Sequence, residues 1–115
     1  MDLRTYIENR YGVTGEHPFI NDPEICVFRH ECNRKWFAVI MQIPKAKLGI
    51  TDDGSVAIVN VKCDPRLIGS FRQEKGIYPA YHMSKTHWLS VALDGSAAWD
   101  TILFLLDMSY DLTKG

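Results

Sequence analysis

The stretch Lys35–Ile43 restricts the fold more than any other part of the chain. Read as a strand, it carries Phe37, Val39, Met41 and Ile43 on one face and Trp36, Ala38, Ile40 and Gln42 on the other. A strand with apolar groups on both faces belongs in the middle of a sheet. Either both sides are covered, or one side is covered and the other holds a wet groove. Ile25–His30 is its expected hairpin partner, joined through Glu31–Arg34, where Asn33 tolerates turn geometry.

The other elements follow from punctuation and period. Asp2 can cap a first helix with Leu3, Tyr6, Ile7 and Arg10 on one face, and Gly12 suits its C-terminal stop. Residues 12–24, rich in Gly, Pro, Asn and Asp, read as a loop. After the Thr51–Ser55 turn signal, Val56–Cys63 reads as a third strand. Asp64-Pro65 is a helix start, with Asp as N-cap and Pro at the first helical position. The expected inner face of that helix is Leu67, Ile68 and Phe71, and Gly76 closes it. Gly69 inside it costs about 1 kcal/mol relative to Ala, which close approach to a neighbour would explain. His87–Leu93 alternates with Leu89, Val91 and Leu93 toward the core and Trp88, Ser90 and Ala92 toward a more polar face. Asp94-Gly95 turns the chain, and Ser96 can cap a last helix through about Leu112, with Trp99, Ile102, Leu103, Leu106 and Tyr110 as its apolar stripe, widened by Leu105 and Met108.

The expected fold is therefore one α+β domain spanning residues 1–115. An antiparallel sheet is flanked by helices in the order α-β-β-β-α-β-α, with room for a short extra strand near Ala80–His82. A chain of 115 residues is one domain by length and buries enough surface for a single core.

Charge narrows the partners. The net charge of −1 exerts no overall pull on nucleic acid or anionic lipid. Its distribution is uneven: residues 25–87 hold ten basic and five acidic side chains, whereas the two ends are each at −3. The basic excess can gather into a patch or interleave with the acidic ends. Three cysteines without framework spacing, no secretory leader and no apolar run near ~20 residues point to a cytoplasmic chain with free thiols and no membrane span.

Catalytic and metal chemistry find little footing. Cys26, His30, Cys32, Cys63, His82 and His87 lack the close ligand pairs of zinc sites. Cys63, at a strand end before a helix, reads as a structural thiol, because nothing in the sequence places a histidine beside it. The carboxylates are explained by caps, turns and solvation, and no glycine spacing makes a phosphate loop. The expectation is no enzyme, no cofactor and no metal.

A basic-aromatic surface remains. Arg29, Lys35 and Trp36 flank the first hairpin, and His82, Lys85, His87 and Trp88 lie on the approach to the later strand. If the two strands are neighbours, these seven residues form one surface where cations meet phosphates and aromatic rings meet bases. The plainer alternative makes the tryptophans sheet cover and the charges a solvated rim.

The same residues carry a resemblance. Pro79-Ala80-Tyr81-His82-Met83-Ser84-Lys85-Thr86-His87-Trp88, then Leu93-Asp94-Gly95-Ser96 and Ser109-Tyr110-Asp111-Leu112, resemble the MmcQ/YjbR family of small bacterial proteins. Upstream, Val27-Phe28-Arg29-His30, Arg34-Lys35-Trp36-Phe37-Ala38 and Asn60-Val61-Lys62-Cys63-Asp64-Pro65 look like the same family's hairpin and strand-to-helix junction. The resemblance covers nearly the whole chain. It implies an antiparallel α+β domain of frataxin-like or secretion-chaperone-like arrangement, and a DNA-binding role without a catalytic motif. The expected function is thus weak, salt-sensitive DNA binding through the basic-aromatic face by a monomer. The alternative is a protein- or peptide-binding module with Trp36 and Trp88 as anchors.

Overall fold

In the computed structural model, which describes residues 2–115, five strands form one antiparallel sheet. They are β1 (Cys26–Arg29), β2 (Trp36–Pro44), β3 (Ser55–Lys62), β4 (Ile77–Pro79) and β5 (Trp88–Ala92), in spatial order β1-β2-β3-β5-β4. Helices α1 (Leu3–Tyr11) and α3 (Trp99–Thr113) pack on one face, and a single turn, α2 (Ile68–Phe71), follows β3. The α+β expectation holds. The extra strand is Ile77–Pro79, one step before the expected place, because Ala80–His82 bends away instead.

The sheet register defines two unlike faces. Cys26, Ile40, Val59, Val91 and Ile77 lie side by side across it, as do Phe28, Ala38, Val61 and Leu89. These side chains meet Leu3 and Ile7 of α1 and Ile102, Leu105 and Leu106 of α3 in the main core. On the opposite face Ile43, Val56, Ile58 and Ala92 form a smaller cluster, with Met41, Tyr78, Tyr81 and Leu48 of a 3₁₀ turn (Lys45–Leu48) against it and, among the described residues, no α-helix above.

A β-bulge at the start of β2 alters the expected alternation. Phe28 pairs with Ala38 but Arg29 pairs with Trp36, so Phe37 is an extra residue. Phe37 consequently turns to the helix side, where it is fully buried against Tyr11 and Tyr110. Trp36 turns to the open side, where its ring meets Phe19. The alternation expected from sequence has these two residues exchanged. The bulge separates the β2 and β3 backbones locally, and Ser109 of α3 fills the gap. Its hydroxyl donates to the Phe37 carbonyl at 2.6 Å and accepts from the Lys62 N–H at 2.8 Å. Two buried backbone groups that the ladder leaves free are thereby satisfied.

Asp2 caps α1 by accepting from the Thr5 N–H, and Gly12 ends it in the left-handed region at φ 66°. The Tyr11 hydroxyl donates to Asp107, tying α1 to α3. Other expectations need correction. The stretch after Pro65 is only one helical turn, so Leu67 is exposed while Ile68 is buried. A side chain at Gly69 would meet nothing, and the close approach is at Gly76, where a Cβ would lie 2.6 Å from the Ala97 nitrogen. Ser96 does not cap α3: its hydroxyl donates to Asp94, and Ala98 occupies the cap position. Trp99, expected in the inner stripe of α3, stays partly exposed. At the first hairpin it is Arg34, not Asn33, that takes the left-handed conformation, at φ 62°. Asn33 instead accepts from the Lys35 N–H and donates to the Thr113 carbonyl.

Both sheet edges are short. Val27 on the outer side of β1 exchanges both backbone bonds with Glu16, and β4 is three residues ending in Pro79.

Candidate functional site: the open face of the sheet

Two features share the uncovered face, a row of cations and tryptophans at one end and a groove along β2. The row is built by register. Arg29 pairs with Trp36 across β1 and β2, and Lys62 pairs with Trp88 across β3 and β5. The β2–β3 pairing ends at Ala38–Val61, one step before the bulge, which leaves Trp36 and Lys62 at the same end of adjacent strands. The result is Arg29, Trp36, Lys62 and Trp88 on four successive strands of one face. The two strands expected as neighbours are in fact separated by β3. Lys62 of β3 bridges the gap, and its place in the row escapes sequence reasoning because it depends on strand order.

The charges in the row differ in availability. The Arg29 guanidinium sits 5.6 Å from the Trp36 ring centre and 3.3 Å from Glu16, which also takes Arg34. Much of the Arg29 charge is thereby answered within the fold. Lys35, Lys62 and Lys85 join no ion pair among the described residues. Lys35 and Lys85 are exposed at the two margins of the row, and the Lys85 carbonyl accepts from Arg72. His87 is exposed beside Trp88, its Nδ1 within 2.8 Å of the Thr86 hydroxyl. His82 stands apart from the row, on the wall of the groove.

The groove has a volume of about 710 Å³ and runs along β2 from Trp36 to Pro44. Val39, Met41 and Ile43 form its floor. The segment Phe19–Ile25 makes one wall and Tyr81–Met83 the other. The second wall is fastened by a buried polar clamp. The Ser90 hydroxyl donates to the Asn60 side-chain oxygen and accepts from the Tyr81 N–H at 2.8 Å, and the Asn60 amide donates to the Tyr81 carbonyl at 3.1 Å. Asn60 and Ser90 are fully buried, so both backbone groups of Tyr81 are held in a dry setting where such bonds matter most. His82 follows at φ 57°, an uncommon conformation for a non-glycine residue, with its ring exposed against Tyr81. In the sequence, Asn60 and Ser90 are legible only as polar positions in strands.

The remaining chemistry-bearing side chains do not converge. His30 is buried, its Nε2 bonded to the Thr113 hydroxyl at 2.8 Å. Burial lowers its pKa, and nearby Lys114 and Lys35 act in the same direction, against a hydrogen bond to the Tyr110 backbone. Cys63 is fully buried, and burial, with Asp64 adding to it, pushes its thiol up to about 11. It is therefore a protonated core side chain at neutral pH, as a structural cysteine should be. Among the described residues, no three His, Cys, Asp or Glu side chains form a group able to hold a metal ion.

Comparison with known proteins agrees with this architecture. The YjbR family model matches residues 9–112. YyaQ of Bacillus subtilis, an uncharacterised protein, is 34% identical over 113 residues, covering 98% of this chain and 96% of its own. Escherichia coli YjbR, also uncharacterised, is 40% identical over 53 residues, or 45% of each chain. A crystal structure of a Pseudomonas syringae protein superposes with a TM-score of 0.96 at 40% identity, covering 99% of this chain and all of that one. A Deinococcus radiodurans protein superposes at 0.63 with 29% identity, over 87% of this chain and 67% of that one. The chain belongs to the YjbR family.

Proposed function

We propose that this YjbR-family domain is a binding domain, not a catalyst, and that it makes weak, salt-sensitive contact with DNA through the cation–tryptophan row. One observation carries the reading: Arg29, Trp36, Lys62 and Trp88 stand on four successive strands of a face over which, among the described residues, no α-helix packs. Free lysines at Lys35, Lys62 and Lys85 supply phosphate contacts, and the tryptophan rings supply stacking surface for unpaired bases. The overall charge of −1 adds no long-range attraction, so the affinity is low and depends on local contacts. Reducing cytoplasm suits the three free cysteines, one of them exposed. The short, blunted sheet edges suit a monomer.

Amide NMR titration with a short oligonucleotide at about 50 and then 200 mM salt tests the reading. The expected outcome is a set of shifts at Arg29–Trp36, Lys62 and Lys85–Trp88 that fades at the higher salt. Lys62→Ala should lower the salt slope by about 1, and Trp88→Ala should cost about 1–3 kcal/mol of binding. A Lys62→Ala, Trp88→Ala double variant that binds as the parent does would remove the assigned surface.

The second reading, a protein- or peptide-binding module with no role toward nucleic acid, draws on the groove along β2. Its apolar floor and volume suit an extended partner segment. Here Trp36, at the end of the groove, is the anchoring side chain, and His82 lines the wall.

A further inference from the structure

We infer that the groove along β2 takes an extended segment of a partner protein in which apolar side chains alternate with lysine or arginine, and that Asp22 and Glu24 select the basic residues. The inference rests on the peptide-binding reading and goes beyond it in naming the chemistry of the partner.

Length argues for a chain. The lining runs from Trp36 to Pro44, and eight steps along a strand at about 3.3 Å each span about 26 Å. That is the reach of roughly eight extended residues and more than one compact small molecule fills. Side chains at alternate positions of such a segment would face the floor formed by Val39, Met41 and Ile43. Met41 adds a pliable surface suited to varied apolar side chains. Asn21 and His82 at the rim offer hydrogen bonds to a partner backbone.

Charge argues for a basic one. Asp22 and Glu24 are the only side chains of the lining that carry a full charge at neutral pH, and both are carboxylates. Both are exposed, and neither joins an ion pair among the described residues. A lysine or arginine of the partner would complete a charge-assisted pair there. An acidic segment would meet like charge. The same carboxylates repel a phosphate backbone, which keeps nucleic acid at the row and out of the groove. The clamp from Asn60 and Ser90 to Tyr81 holds one wall in place before binding, which limits the ordering cost of association.

The test is selection from a phage-displayed library of random linear dodecapeptides against the intact protein. Selected peptides are then synthesised and mapped by amide NMR. The expected result is enrichment of peptides with Lys or Arg among apolar residues, shifting amides at 19–25, 39–43 and 81–83. A D22K/E24K variant should bind them at least tenfold more weakly. Both sites are exposed loop positions, and an unchanged amide spectrum elsewhere verifies the fold. Enriched peptides that map to the groove but are acidic or uncharged, or that ignore D22K/E24K, overturn the basic specificity and leave the peptide-binding reading standing. No enrichment overturns both, and peptides that map to the Lys62–Trp88 row overturn the groove as the binding site.

Discussion

The two faces of the sheet are made from the same five strands and yet are opposite in construction. Under α1 and α3, every strand contributes apolar side chains, and the largest, Phe28, Phe37 and Leu89, are fully buried. On the other face the same strands contribute Asn60, Ser90, Lys62 and two partly buried tryptophans beside a smaller set of buried aliphatics, Val39, Ile43, Val56 and Ile58 among them. The covered face holds the fold together by area and packing. The open face joins a smaller apolar cluster to directed polar bonds, with Asn60 and Ser90 anchoring Tyr81. A binding surface needs defined geometry without being filled by its own side chains, and the clamp meets both demands.

Substitutions can test this division, beginning with the largest effect. Leu106→Ala on α3 should destabilise the fold by about 3 kcal/mol, because Leu106 is fully buried among helix and sheet side chains. Met41→Ala on the open floor should cost under about 1 kcal/mol, since that side chain is partly exposed and solvent can fill the space. Urea unfolding of the two variants makes the measurement, and equal losses would break the distinction between the faces.

Ser109→Ala follows, at about 2 kcal/mol. It removes the partner of the Phe37 carbonyl and of the Lys62 N–H together, next to a bulge that leaves neither with a ladder bond. Hydrogen exchange at the Lys62 amide should accelerate by more than at Val59 in the same strand. Uniform acceleration would mean that the serine serves only global stability.

The smallest effect is the pH dependence contributed by His30 on the covered side. Its folded pKa is depressed by burial, so the unfolded chain binds the proton first as pH falls. Stability is therefore full above about pH 7 and declines as pH drops through the ordinary histidine value of about 6.5 toward the lower folded one. The slope is at most about 1.4 kcal/mol per pH unit. Carboxylates such as Asp64, held near 2 by the Arg66 side chain and backbone, act only at lower pH. Urea midpoints between pH 8 and 5 should fall for the parent and stay flatter for His30→Gln. Parallel curves would show that His30 is not the titrating group.

Much of this architecture is legible in the order of the residues themselves. The alternation of Leu89, Val91 and Leu93 against Trp88, Ser90 and Ala92 fixes which side of β5 meets the helices, and a cap at Asp2 and a stop at Gly12 frame α1. Local signals of this kind depend on neighbours within one or two turns. The parts that escape are those decided at long range. The bulge that exchanges Trp36 and Phe37 is set by the partner strand and by Ser109, 72 residues beyond Phe37. Lys62 becomes the centre of a row only because β3 lies between β2 and β5. The run after Asp64-Pro65 has a helix start, yet the chain must reach β4 by Ile77 and yields a single turn. For the same reason four of the seven proposed contact residues, Arg29, Trp36, His87 and Trp88, cluster around the row, Lys35 and Lys85 flank it, and His82 belongs to the groove.

The treatment of the sheet margins has a consequence for how the protein behaves at high concentration. An unpaired strand edge is a template on which further chains can add, and long flat edges are where fibrils begin. Here Glu16 occupies the outer backbone groups of Val27, and β4 ends after three residues at a proline. Growth by strand addition has almost no purchase at either margin. The domain can thus carry a sheet face with no α-helix over it and still resist polymerising through its backbone.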